Sequence, residues 1–223
     1  MNNIRKKFND LCERHWWLMP LVIFFVWRIS IELIARLTLA YNTPIINPWP
    51  ADPNPPIWAR WDSGWYSSII SYGYQLRVGL MSNTTFFPLY PILWKIILLV
   101  TGLPRLVAGV LTSNILALAA ALVLYRWIEL KHSAQLARRS LGLLLAFPTS
   151  FFLIAAYSES TFLFLLALTL LAAERRRWLA AAIAATLLSA TRPVGLAMWP
   201  ALFAILIPCR FLCGLWLCLV RLL

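Results

Sequence analysis

The sequence predicts an all-α fold, a polytopic membrane helix bundle, and three observations carry that prediction. Of the 223 residues 61% are hydrophobic and only 13% are charged, about half the charged share of a soluble domain. The mean hydropathy is +0.75. The basic residues fall in short clusters between apolar runs, at Arg5 to Lys7, Arg138 to Arg139 and Arg175 to Arg177, the distribution of positive-inside topology signals. A nucleic-acid binder with the same net charge of +12 would need a solvated basic face, and no hydrophilic stretch is long enough to carry one. Because helices satisfy their own backbone polar groups in lipid, a single membrane domain over 1–223 follows.

Residues 1–15 are polar and basic and read as a cytosolic N-terminus. The apolar run after them exceeds signal-peptide length without a small-residue cleavage site, so 16–40 is expected as a retained first span. It reaches the roughly 20 residues a span requires only by including Arg28, Glu32 and Arg36. Those three lie four apart and share one helix face, either as a structural ion ladder turned toward other helices or as a contact to a substrate phosphate.

Over 41–87 the apolar periodicity stops and prolines cluster (Pro44, Pro48, Pro50, Pro53, Pro55, Pro56). With the N-terminus inside, this is an outer loop. Trp61, Trp65, Ile69 and Tyr72 recur in it at helical spacing with Asp62 beside them, which predicts a helix over 60–72 lying on the membrane surface and ended by Gly73.

The further spans occupy 88–208. A short apolar stretch to Val100, interrupted by Lys95, precedes a full span over Leu106 to Trp127. If both cross, the basic stretch Arg126 to Arg139 lies outside; if that stretch lies inside, only one crosses, and the short one is re-entrant or interfacial. The run from Leu141 to Ala173 would reach about 50 Å as one helix, against a ~30 Å hydrocarbon core, so it must turn. The polar insert Tyr157-Ser-Glu159-Ser160 is the expected place, which puts Glu159 at the outer surface. Trp178 to Thr191 returns outward, Arg192-Pro193 marks a break, and Gly195 to Ile207 descends again, leaving 209–223 as an atypical tail.

Chemistry is expected on the outer face. The cysteines Cys12, Cys209, Cys213 and Cys218 lack Cys-x-x-Cys spacing, His15 and His132 are far apart, and no metal-ligand constellation is expected. Of the acids, Asp10, Glu13, Glu129 and Glu174 sort to the inside and Glu32 to mid-span. Asp52 lies among prolines, where a turn role is expected. Asp62 and Glu159 remain as candidate catalytic acids, with Arg60, Arg77 and Arg192 as outer cations. Transfer of a sugar from a lipid phosphate needs a base for the acceptor hydroxyl and cations for the departing phosphate, and this face offers both. The plainer readings stay beside these: an interfacial aromatic anchor for Trp58 to Tyr66, a helix-start carboxylate for Glu159, a snorkelling interfacial arginine for Arg192.

Five blocks then stand in order over about 135 residues: Arg60-Trp-Asp62-Ser-Gly-Trp-Tyr66 with Tyr72-Gly-Tyr74, Phe86-Phe-Pro-Leu-Tyr-Pro91, Phe147-Pro-Thr-Ser-Phe-Phe152, Tyr157-Ser-Glu-Ser160, and Ala190-Thr-Arg-Pro193. Together they resemble the PIG-V type mannosyltransferases, the family of GPI mannosyltransferase II and its bacterial relatives. The resemblance implies a GT-C glycosyltransferase with its active site on the outer or lumenal face. It implies a polyprenyl- or dolichyl-phosphate mannose donor, a lipid or glycolipid acceptor, and inversion at the anomeric carbon. It maps Asp62 and Glu159 to catalytic positions and Arg60, Trp61, Trp65, Tyr66 and Arg192 to substrate binding; no cofactor is expected, and a lone outer-loop acid can act with or without a divalent ion. Family members continue through more spans after the Thr-Arg-Pro block, so a C-terminally truncated chain is expected, and with it the alternative of a non-catalytic membrane protein or subunit of a glycosyltransferase complex. A bacterial plasma membrane is expected, with the endoplasmic reticulum as the other possibility.

Overall fold

The computed structural model describes residues 15–41, 56–76, 79 and 81–206. Asp52, Arg77, most of the proline cluster, all four cysteines and the tail after 206 lie outside these. Among the described residues the secondary structure is helical throughout: α1 Leu18–Tyr41, α2 Asp62–Tyr72, α3 Leu89–Thr101, α4 Arg105–Lys131, α5 Ala134–Ala146, α6 Glu159–Glu174, α7 Trp178–Ser189 and α8 Met198–Leu206, with 3₁₀ turns at Asn83–Thr85, Pro148–Leu153 and Pro193–Ala197. Two helical stretches, Leu18–Ala40 and Arg105–Lys131, are long and apolar enough to cross a membrane. Their outward sides are greasy: Val22, Val26, Ile29, Leu33 and Ile34 on α1 and Ile115 on α4 are exposed. In water such faces would be costly, and in lipid they are the ordinary surface of a span.

The polar ladder on α1 is formed. Both oxygens of Glu32 are used, by Arg28 at 2.9 Å and Arg36 at 2.8 Å, and the Trp58 indole adds a third donor at 2.8 Å. Arg28 also donates to Asn114 of α4 at 2.8 Å. Both oxygens of Glu32 are therefore engaged from within the chain, which favours the structural reading of this triad.

Cross-helix contacts fix directions. Trp16, just before α1, lies under the Arg126 guanidinium at 5.0 Å, and Arg28 meets Asn114 twelve residues earlier on α4, so α1 and α4 run antiparallel. Lys131 and Glu174, at the ends of α4 and α6, pair at 3.3 Å, so those two are parallel. Helix α3 is antiparallel to α4 but shares only its first stretch: Trp94 donates to the Arg105 carbonyl at 2.7 Å and Tyr90 to that of Gly109 at 3.1 Å. Residues 105–113 rise only about 12 Å, so α3 does not run the depth of the bundle. Of the two helices between 88 and 127, only α4 is long and apolar enough to cross a membrane. Only α4 runs the full length, and Arg126 to Arg139 sits at the same end as the start of α1.

The turn expected at Tyr157 to Ser160 begins ten residues earlier. Helix α5 starts at Ala134 and stops at Ala146, because Pro148 lacks an amide hydrogen and pushes Phe147 out of the α region, to φ −65° and ψ 136°. Residues 147–158 then cross the bundle without α-helix, tied by Trp27 to Ser150 at 3.1 Å and by Ser150 to the Leu145 carbonyl at 2.6 Å, before α6 begins at Glu159. The predicted helix over 60–72 is present from Asp62, and Gly73, at φ +72°, closes it where a side chain would be strained.

Between α6 and α7 the amide of Arg176 returns to the Ala173 carbonyl and that of Arg177 to the Ala172 carbonyl, both at 2.9 Å. This is a Schellman closure with arginine, at φ +55°, in the left-handed position that glycine usually takes.

Candidate active site

The helices α2, α3, α4 and α6 and the Arg192 segment meet at one place. Tyr66, one turn into α2, is buried between Phe86 and Tyr90, with ring centroids 4.9 Å from each. Its hydroxyl donates to Ser158 Oγ at 3.0 Å. Arg192 Nε donates to the same oxygen at 3.0 Å, and its other arm forms a short ion pair with Glu159. Arg192 is held extended, at φ −158° and ψ 151°, because it precedes Pro193. The Leu89 amide donates to the Ala190 carbonyl at 3.2 Å, which pins this segment to α3.

The loop before α2 is tied in from the other side. The Ala156 amide donates to the Trp58 carbonyl at 2.7 Å, and the Tyr157 hydroxyl donates to the Arg60 carbonyl at 3.0 Å. In α4, Ser113 donates to the Tyr157 carbonyl and Asn114 to that of Ile154, each at 3.3 Å. Three of the five sequence blocks, 60–66, 157–160 and 190–193, thus share one hydrogen-bonded shell, and the Phe86 to Pro91 block supplies its aromatic wall, whereas the Phe147 to Phe152 block is tied instead to Trp27 of α1 through Ser150.

Asp62 opens α2 and Glu159 opens α6, so each helix start favours a negative charge. The Asp62 side chain is exposed and has no ion-pair partner among the described residues, whereas one oxygen of Glu159 is taken by Arg192. Just before Asp62, Trp61 holds φ +47° and is 57% exposed, a strained conformation for a bulky residue and of the kind that clusters at functional sites.

The buried side-chain polar atoms without a partner among the described residues are Arg60 Nε, Ser63 Oγ, Glu159 Oε2, Ser160 Oγ and Thr161 Oγ1. All belong to two short segments, 60–63 and 159–161. Elsewhere among the described residues the buried polar side-chain atoms have partners, so this concentration leaves polar groups free for contacts beyond the chain's own.

The expected site residues are distributed unevenly over this arrangement. Asp62, Glu159, Arg60, Trp61 and Arg192 surround it. Tyr66 is in it, but as a buried post rather than an aromatic platform: its ring has no free face, and its hydroxyl positions Ser158. Trp65 stacks on Phe86 at 6.0 Å and 23°. Sequence reasoning did not single out Ser158, Ser113 or Arg105, which donates to Ser67 and Ser71 of α2 at 2.7 Å each. The signal available for Ser113 was the polar pair Ser113-Asn114 within an otherwise apolar span.

Burial pushes the Tyr66 phenol from 10 up to about 12. Between those values the folded chain holds a proton that the unfolded chain has lost, so stability is unaffected below pH 10 and falls as pH rises from 10 to 12. Tyr66→Phe should flatten that alkaline decline in a thermal melt series. At neutral pH it should cost about 1 kcal/mol for the lost hydrogen bond.

Comparison with known proteins returned no match among family models, curated proteins or solved structures.

Proposed function

We propose that this chain is a membrane glycosyltransferase of GT-C type. In this reading it transfers mannose or a similar hexose from a polyprenyl or dolichyl phosphate to a lipid or glycolipid acceptor on the outer or lumenal face. The observation that supports it most is the confinement of unpartnered buried polar atoms to segments 60–63 and 159–161, beside an exposed carboxylate and two guanidinium groups. The order of the sequence blocks supports it independently.

In this reading the basic end, with Arg126 to Arg139 and Arg175 to Arg177, faces the cytosol, and the site lies toward the opposite face. Asp62 takes the proton from the acceptor hydroxyl as that oxygen attacks the anomeric carbon. The bond from that carbon to the phosphate oxygen breaks, and the phosphate leaves with its electron pair. Arg192 and Arg60 stabilise the charge it gains. Glu159 holds Arg192, and Trp61 offers an open ring face to sugar or acceptor.

The test is transfer by the purified chain in proteoliposomes, with labelled polyprenyl-phosphate mannose and a panel of lipid acceptors. Donor-dependent appearance of label in a glycolipid is the expected result. A folded chain that turns over no donor with any acceptor would reject the reading in favour of a non-catalytic membrane protein.

A further inference from the structure

At the end of the bundle far from Asp62, a cavity of about 510 Å³ is lined by Trp127, Lys131, Leu170, Glu174, Arg176 and Trp178, with Ala173 and Ile205 completing it. Its volume falls in the range of small-molecule sites. Its lining is divided: two indoles and aliphatic groups make one part, and an ammonium, a guanidinium and one carboxylate the other. The Lys131 ammonium sits 5.6 Å from the Trp127 ring centre and 3.3 Å from Glu174, so Glu174 is already engaged. Arg176 has no ion-pair partner among the described residues.

Charge around the cavity is one-sided. Arg126, Lys131, Arg138, Arg139, Arg175, Arg176 and Arg177 lie at this end against Glu129 and Glu174, and Glu129 is itself paired with Arg126 at 2.6 Å. The backbone adds an independent sign. A helix closure of this shape is met without strain by glycine, yet here it carries arginine in the left-handed region, and that arginine lines the cavity. Next to the lining, Leu130, Leu179 and Phe203 present exposed apolar side chains, suited to acyl chains. Basic pockets between membrane helices at the cytosolic level take anionic headgroups.

We propose that this cavity binds the phosphodiester headgroup of an anionic phospholipid, with Arg176 and Lys131 as charge partners and Trp127 and Trp178 at the glycerol level. The proposal rests on the membrane-bundle part of the reading above and not on glycosyl transfer, so either can fail alone.

The test is native mass spectrometry of the full chain in detergent, titrated separately with phosphatidylglycerol, phosphatidylcholine and inorganic phosphate. Phosphatidylglycerol should bind about fivefold more tightly than phosphatidylcholine for each cation engaged. Arg176→Gly removes the charge while relaxing the backbone, so it should abolish most of that preference without lowering the melting temperature. Lys131→Gln should reduce it as well. The double variant Arg138→Gln, Arg139→Gln, at the same end but off the cavity, should keep it. Equal binding of the two lipids would overturn the proposal. So would an equal loss in the Arg138, Arg139 control, which would mean diffuse surface charge. Displacement of the lipid by millimolar phosphate would overturn it in favour of a free-anion site. A chain that transfers no sugar but keeps the lipid preference would reject the glycosyltransferase reading alone.

Discussion

Asp62→Asn should lower transfer by about a hundredfold or more, the scale of losing a positioned general base. The substitution preserves shape and removes basicity at an exposed helix start, where neither packing nor an ion pair depends on the carboxylate, so the thermal midpoint should fall only slightly, through the lost attraction between the charge and the helix start. The loss should lie in kcat at saturating donor, because the acceptor proton moves only in the transition state. Glu159→Gln makes the contrast. Its carboxylate is committed to Arg192, so its loss should loosen Arg192 and act on donor binding and rate together. Near-normal transfer by the Asp62→Asn chain would remove this residue from the chemistry and leave the site without a base.

Gly195→Ala should be among the most damaging single-methyl changes in the described chain. A Cβ at 195 would lie 2.5 Å from the Leu188 carbonyl oxygen, 2.7 Å from its carbon and 2.8 Å from Ser189 Cα. These are backbone atoms of α7, which cannot rotate aside as a side chain can. Overpacking of this kind costs about 1–3 kcal/mol, and a loss in the middle of that range lowers the melting temperature of a chain this long by roughly 4–8 °C. Relief by moving the segment 190–197 would carry Arg192 away from Ser158 and Glu159, so transfer should fall in step with stability. Gly142→Ala is the control, since a Cβ there meets nothing within 4 Å. It should melt as the unaltered chain does or slightly higher. An unchanged midpoint for Gly195→Ala would show that the α7 turn is looser than its geometry implies.

The helices were legible because their signals are local. Apolar run length marked 16–40 and 106–127, the helical spacing of Trp61, Trp65, Ile69 and Tyr72 marked α2, and Gly73 marked its end. The four-residue spacing of Arg28, Glu32 and Arg36 put them on one face. The break at Phe147-Pro148 is less legible than the polar insert at 157–160, because the proline sits in an apolar run and its steric effect falls on the residue before it. The stripe of Trp61, Trp65, Ile69 and Tyr72 predicts a helix lying on the membrane surface, yet the residues of α2 that pack inside are Ser63, Tyr66 and Ser67, where serines pass unnoticed in an apolar pattern.

By itself the sequence determined a helical, apolar chain, its clusters of basic residues and the residue types at the candidate site, while of the several spans it predicts two helices are long and apolar enough to cross a membrane. Tertiary structure alone decided that α3 covers only the first stretch of α4, that Ser158 joins Tyr66 to Arg192, and that the partnerless polar atoms gather at 60–63 and 159–161. The physical reason is range. Periodicity, turn chemistry and charge act over a few residues, whereas a hydrogen bond between positions 92 residues apart, such as that from Tyr66 to Ser158, exists only once packing has brought α2 against the start of α6.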